Sequence, residues 1–276
     1  PGFIAQLKGR LTKQRYKYAT IFVDHHSRFG YVHLMKEITS EETVAAKNAF
    51  EAYCKTHNVQ VRHYHADNGR FADNLFIQAV RNSGQTISYC GVNAHHQNGI
   101  AEKRIRDLQE LARTELLHAK IRWKEAITAN LWPHALRTAN SVLNTHPRSK
   151  MSNSPLELFT GVQVAPQLKH HHTFGCPVYA LDSKLQHNAA IPKWDSRARL
   201  GIYLGPSPNH ARSVSLVLNP ITGLVSPQFH VYHDDFFESV GRNFPKMQSN
   251  WQALAGFRYD VAPRANTQKN TNTSPN

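Results

Sequence analysis

Cysteine is scarce in this chain. Three thiols, Cys54, Cys90 and Cys176, are spread over 276 residues. They are too few and too scattered for a disulfide framework or a structural zinc site, and a reducing compartment is the simpler expectation. Acids are also in short supply: 19 Asp and Glu stand against 33 Lys and Arg, giving a formal net charge of +14 and a pI near 9.8. Such an excess favours a polyanionic partner, although charge alone does not separate DNA from RNA or from an acidic membrane surface. No apolar run approaches the ~18 residues of a membrane span. Residues 1–15 lack the apolar centre of a secretory signal. A soluble protein with no membrane partner is expected, and an opening on Pro1 rather than Met points to a piece of a longer polypeptide.

A hydrophobic content of 40% is enough for a domain of ~150 residues plus a second, small one. Residues 1–17 carry Lys8, Arg10, Lys13, Arg15 and Lys17 with few apolar neighbours after Leu11, and they read as a basic arm or a solvated linker. Strand patterns at Tyr18 to Asp24 and Phe29 to Lys36 are joined by His25-His26-Ser27-Arg28, a hairpin of ordinary loop length. Thr39 with Glu42 makes a capping box that opens a helix. The order then predicted is a strand over 61–66, a helix from about Asp73 to Arg81, a strand over 86–90, a loop over 91–98, and a helix from about Gly99 to Leu117.

Chemistry concentrates in this last stretch. Val61 to Asn68-Gly69 is a β-branched and aromatic run ending in an acid and an Asn-Gly turn, which puts Asp67 at the carboxyl end of a strand. His96-Gln97-Asn98-Gly99 leads into a helix with Glu102 in its opening turns. Two carboxylates converging at one end of a sheet suit a hard divalent cation, because Mg²⁺ (or Mn²⁺) prefers oxygen ligands. Two such ions would clamp the attacking and leaving oxygens of a phosphodiester displacement. Taken singly, Asp67 could cap a turn and Glu102 could be a solvated helix face.

As a pair, Asp67-Asn68-Gly69 and Asn98-Gly99-x-x-Glu102 resemble the second and third acids of retroviral-type integrases, whose D…D-35-E constellation is matched to within one position: Glu102 lies 35 positions after Asp67. Later segments, Pro155-Leu156-Glu157-Leu158-Phe159-Thr160-Gly161 among them, are most similar to integrases of copia-type long-terminal-repeat retrotransposons. The resemblance covers roughly residues 16–240. It implies a ribonuclease-H-like α/β core (mixed sheet, flanking helices) over 1–165, and a small SH3-like β-barrel over 170–240. A polar tail follows over 241–276, too poor in apolar residues to bury a core. In that fold the first strand is central and bears the first catalytic Asp, while the next two form the hairpin before the first helix. Only two strands are legible before that helix, so the first strand is expected to be missing, along with its acid. Asp24 then falls at the hairpin turn, where capping explains it better than metal ligation.

What the resemblance implies for function is DNA integration by metal-dependent phosphodiester cleavage and strand transfer in the parent polyprotein. Asp67 and Glu102 would be metal-binding catalytic acids, and Gln97, Asn98, Lys103, Arg106 and Arg113 would contact DNA. The segment from His95 to Gly99 matches the mobile stretch lying against the DNA end. Element ends and target DNA would be the partners, in a homo-oligomeric complex, in the host nucleus or a cytoplasmic retrotransposon particle. A catalytically inactive DNA-binding relic lacking the first Asp is the alternative reading, and a ribonuclease-H-like nuclease is a third. His63 and His65 alternate with Asp67 and read as hydrogen-bonded core histidines, and His170-His171-His172 reads as a solvated loop.

Overall fold

Segments rich in β-branched and aromatic residues form a five-stranded mixed sheet in a computed structural model that describes residues 2–91, 98–147, 152–163, 169–186 and 190–240. Its strands are β1 (Gly2–Lys8), β2 (Tyr18–Asp24), β3 (Gly30–Met35), β4 (His63–Ala66) and β5 (Thr86–Tyr89), in the order β3-β2-β1-β4-β5. β1 runs antiparallel to β2, with Gly2 opposite Asp24 and Lys8 opposite Tyr18, and parallel to β4, with Ile4 opposite Ala66. β2 and β3 form the expected hairpin, and β4 and β5 are parallel.

β1 corrects the sequence reading. The first strand is not missing: residues 2–8 of the supposed basic arm are the central strand, paired on both edges. Phe3, Ile4, Ala5 and Leu7 are all buried. A strand covered on both faces loses the polar–apolar alternation that marks a half-exposed one, and its four buried apolar residues beside Lys8 and Arg10 hid it. Only the later part of the arm is exposed, at Lys8, Arg10, Leu11, Lys13 and Arg15.

Helix α1 (Ser40–Thr56) starts where Thr39 Oγ1 accepts the Glu42 backbone N–H at 3.2 Å, but the Glu42 carboxylate turns to the Lys36 N–H, so only half of the predicted capping box forms. With α2 (Asn74–Asn82), capped by Asp73, it covers the sheet face that bears Ile4, Phe22 and Tyr64. Phe22 stacks on Phe50 of α1 at 4.6 Å.

Helices α3 (Gly99–Arg122) and α4 (Trp132–Thr145) pack on each other, α3 against β1 and β2 and α4 against β3. The inner face of α3 carries Ala101, Arg104, Leu108, Ala112 and Ala119. Arg104 is therefore turned inward, unlike its neighbours Lys103 and Arg106. Its guanidinium donates to Asn140 Oδ1 at 2.8 Å and Asn144 Oδ1 at 2.6 Å, and Asn144 also holds the backbone N–H and carbonyl of Gly30. A short helix α5 (Pro155–Thr160) begins with a reciprocal Ser154–Glu157 capping box and lays Phe159 on Phe29 at 4.3 Å.

A second, antiparallel sheet follows: β6 (Pro177–Leu181), then the single turn α6 (Ser183–Gln186), β7 (Ala198–Pro206), β8 (Ser215–Leu218), β9 (Val225–Gln228) and β10 (Val231–His233), ordered β10-β6-β7-β8-β9. Among the described residues no ladder joins β9 to β10. Both sheets belong to one unit, Pro1–Ser239, with Val240–Asn276 as the other. α4 packs on β7, and Trp123 at the end of α3 donates its indole N–H to the Gly175 carbonyl at 2.7 Å. Gly175 sits at φ +80, and a Cβ there would lie 2.3 Å from that of Ala119, so this junction requires glycine.

Candidate active site

The parallel ladder carries Asp67 to its expected place. β4 ends at Ala66, the Cys90 N–H extends the β4–β5 pairing by donating to the Ala66 carbonyl at 3.0 Å, and Asp67 follows at the carboxyl end. Its carboxylate accepts the Gly69 N–H at 3.3 Å, and Asn68 donates to the Cys90 carbonyl at 3.0 Å, fixing the turn. Glu102 lies exposed in the first turn of α3. Cys90, next to β5, is buried; burial pushes its thiol pKa up, and the charges of Asp67 and then Glu102 push it further.

On the same strand face, His63 and His65 both hydrogen-bond Ser88 Oγ, at 2.9 and 2.8 Å, and His65 Nε2 lies 3.6 Å from Cys90 Sγ. Their role as hydrogen-bonded histidines is the one the alternation pattern favoured. Phe3 of β1 meets the His65 ring edge-on at 5.1 Å, and Phe3 is paired with His65 in the ladder. Strand alternation then places Ala5 on the same face, level with Asp67. β1 reads Gly-Phe-Ile-Ala-Gln-Leu-Lys and holds no acid. Asp24 accepts both the backbone N–H and the hydroxyl of Ser27 at 2.7 Å, so it caps its own turn.

The expected DNA-contacting residues separate into three groups. Lys103, Arg106 and Arg113 are exposed on α3, Lys103 in an ion pair with Asp107 at 3.2 Å. Asn98 points the other way: its side chain is 2% exposed and donates to the Ile4 carbonyl at 3.0 Å, tying the start of α3 to β1. In this geometry it positions Glu102 rather than reaching outward. Gln97, with His95 and His96, lies outside the described residues. Among the described residues there is no group of three or more His, Cys, Asp or Glu side chains arranged to hold a metal ion.

A different cluster escaped the sequence reading. His172 Nδ1 donates to the Asp235 carboxylate at 2.9 Å and the ring stacks on His233 at 3.5 Å between ring centres, while His233 Nε2 meets Ser215 Oγ at 3.0 Å. The histidine run is therefore not a plain solvated loop: its third member joins the loop to β10. Burial, then the neighbouring His172, pulls the His233 pKa down to about 4. No spacing rule links residues 63 positions apart, so nothing in the sequence pointed to it.

No family model matches the chain. It is 27% identical over 231 residues to the retrovirus-related Pol polyprotein from transposon RE1 of Arabidopsis thaliana, covering 82% of this chain and 14% of that polyprotein. It is 24% identical over 272 residues to the corresponding polyprotein from transposon RE2 of the same plant, covering 96% and 17%. The chain thus spans less than a fifth of the length of these curated relatives. Among solved structures it is similar to the HTLV-2 integrase catalytic core domain in complex with magnesium, in trimeric form, with a TM-score of 0.42, 20% identity, and 57% and 94% of the two chains covered. Both of these curated matches are retrovirus-related Pol polyproteins from transposons, and it is to a short part of each that the chain is similar. Among the described residues no helix is long and apolar enough to cross a membrane.

Proposed function

We propose that this chain is the integrase-core portion of a copia-type retrotransposon Pol polyprotein, with an SH3-like accessory after the core, and that it binds DNA through exposed cations beside a carboxylate pair. The observation that carries the reading is the placement of the two acids: Asp67 follows the carboxyl end of β4, and Glu102 lies exposed in the first turn of α3. Lys103, Arg106 and Arg113 supply phosphate-seeking charge from the same helix. The order β3-β2-β1-β4-β5, with its central first strand, supports a ribonuclease-H-like core.

Oxygen donors of this kind suit Mg²⁺ or Mn²⁺, but they fill only part of a two-ion site. β1 holds no acid, and among the described residues no third carboxylate joins Asp67 and Glu102 to complete the set. That vacancy in chemistry also favours the second reading, a DNA-binding relic without activity of its own. In either case the partner is DNA, held by a homo-oligomer in the host nucleus or a retrotransposon particle.

Titrating Mn²⁺ and following the loss of its free EPR signal tests the site. Weak binding is expected, lowered at least ~10-fold by Asp67→Asn or Glu102→Gln, and raised ~10-fold by Ala5→Asp, which adds a hard ligand level with Asp67. Unchanged affinity in all three variants, each checked for folding by thermal melting, would sink the carboxylate site.

A further inference from the structure

A groove of about 650 Å³, lined by neither Asp67 nor Glu102, lies between the end of β1, the middle and end of α3 and the start of α4. Its floor is apolar: Leu7 of β1, Ala112 of α3, Leu136 of α4 and Ile127 of the connection between the two helices line it and are buried. One wall is the Trp132 ring. That ring is held in place: its indole N–H donates to the Arg10 carbonyl at 2.7 Å, and Gly9 lies against it so closely that a Cβ there would come within 2.5 Å. The opposite wall is α3, with Leu116 and with Leu117, which is 54% exposed. Every charged residue lining the groove is a cation, namely Lys8, Arg10, Arg113 and Lys120, and all four are exposed.

An apolar trough with an exposed leucine along one side is an unfilled hydrophobic face. A purely cationic rim selects what fills it. A second copy of this chain brings a net charge of +14 and is opposed by that rim. Nucleic acid matches the charge, but its sugar–phosphate gains nothing from a floor of Leu, Ile and Ala, and Trp132 has one ring face already covered by Gly9. An amphipathic protein helix matches both features, with apolar anchors for the trough and Asp or Glu on its flanks for the rim. From Gln109 to Lys120 the lining stretch of α3 is long enough for about three turns of such a helix at ~1.5 Å per residue.

We propose that this groove docks an acidic amphipathic helix of a partner protein. The site is independent of the carboxylate pair and of the integrase reading, and it stands or falls without them. Arg113 is offered to phosphate in that reading, and the test therefore uses other positions.

The probe is a fluorescein-labelled helical peptide of fourteen residues with Leu at i, i+3, i+4, i+7 and i+11 and Glu elsewhere, titrated with the full 276-residue chain and followed by fluorescence anisotropy. Saturable binding is expected, at least ~10-fold weaker for Leu117→Glu and for Lys120→Glu. Both sites are exposed, so folding is retained and is verified by circular dichroism; Lys193→Glu, on the connection before β7, should bind as the parent does. A scrambled or Lys-for-Glu peptide that binds equally well overturns the proposal. So does an oligo-dT that displaces the acidic peptide and itself loses affinity in Leu117→Glu. Concentration-dependent self-association abolished by Leu117→Glu would instead make a second copy the occupant and overturn it too.

Discussion

Glu115 shows how one side chain sets a pH dependence. It lies on α3 with its Oε2 buried and without a hydrogen-bond partner, and burial raises its pKa from 4.5 to about 8. In the unfolded chain it is ionised above about 4.5, while in the folded chain it keeps its proton until about 8. The unfolded state therefore binds fewer protons across that window, and stability contributed by this site falls as pH rises through it. Glu115→Gln keeps the shape and removes the titration. It is expected to raise stability at pH 8 by ~1–3 kcal/mol and to change little at pH 4.5, measured by urea unfolding at both values. At this scale the sequence was legible for Asp67, whose strand and Asn-Gly turn are local signals, and less so for direction. Arg104 could have been placed inside, because it shares helical spacing with Ala101, Leu108 and Ala112. Asn98 carried no such signal: its partner, the Ile4 carbonyl, lies 94 positions away.

Whole elements were legible where a surface imposes a pattern. Helices α1, α2 and α3 were expected at nearly their observed starts because Thr39, Asp73 and Gly99 are local punctuation. The end of α3 was not; it runs on to Arg122 because Trp123 is held by the Gly175 carbonyl, a tertiary contact. β1 escaped because burial on both faces erased its period, and charge at Lys8 and Arg10 dominated the reading. Its weight in the fold is testable. Ile4 is fully buried among Phe22, Tyr64 and Phe50, on the strand that joins the β2–β3 hairpin to β4. Ile4→Ala is expected to cost ~2–5 kcal/mol, from lost burial plus the cavity left behind. A dispensable arm would give no change in the urea midpoint, so an unaltered midpoint would remove β1 from the core.

For the molecule as a whole, the governing quantity is its charge of +14, and the fold decides where that charge acts. Along α3, Glu102, Arg106 and Arg113 recur at intervals of four and seven residues, which at ~100° per residue keeps them on one outer stripe. The stripe starts at Glu102, so a polyanion drawn to Arg106 and Arg113 is led toward that carboxylate. Such binding releases condensed counterions, and log K should fall linearly with log salt, steepening by ~0.9 for each phosphate neutralised on duplex DNA. Arg106→Gln is expected to shallow that slope by about one and to weaken a random-sequence duplex and any specific one alike, because phosphate contacts carry no sequence information. Asp67→Asn should do the reverse in metal-free buffer: removing a negative charge beside the stripe strengthens binding while leaving the number of contacts, and so the slope, unchanged. Filter binding or anisotropy between 50 and 300 mM salt separates these outcomes. A slope indifferent to Arg106 would move the DNA path off α3, since the charge lost there would have neutralised no phosphate.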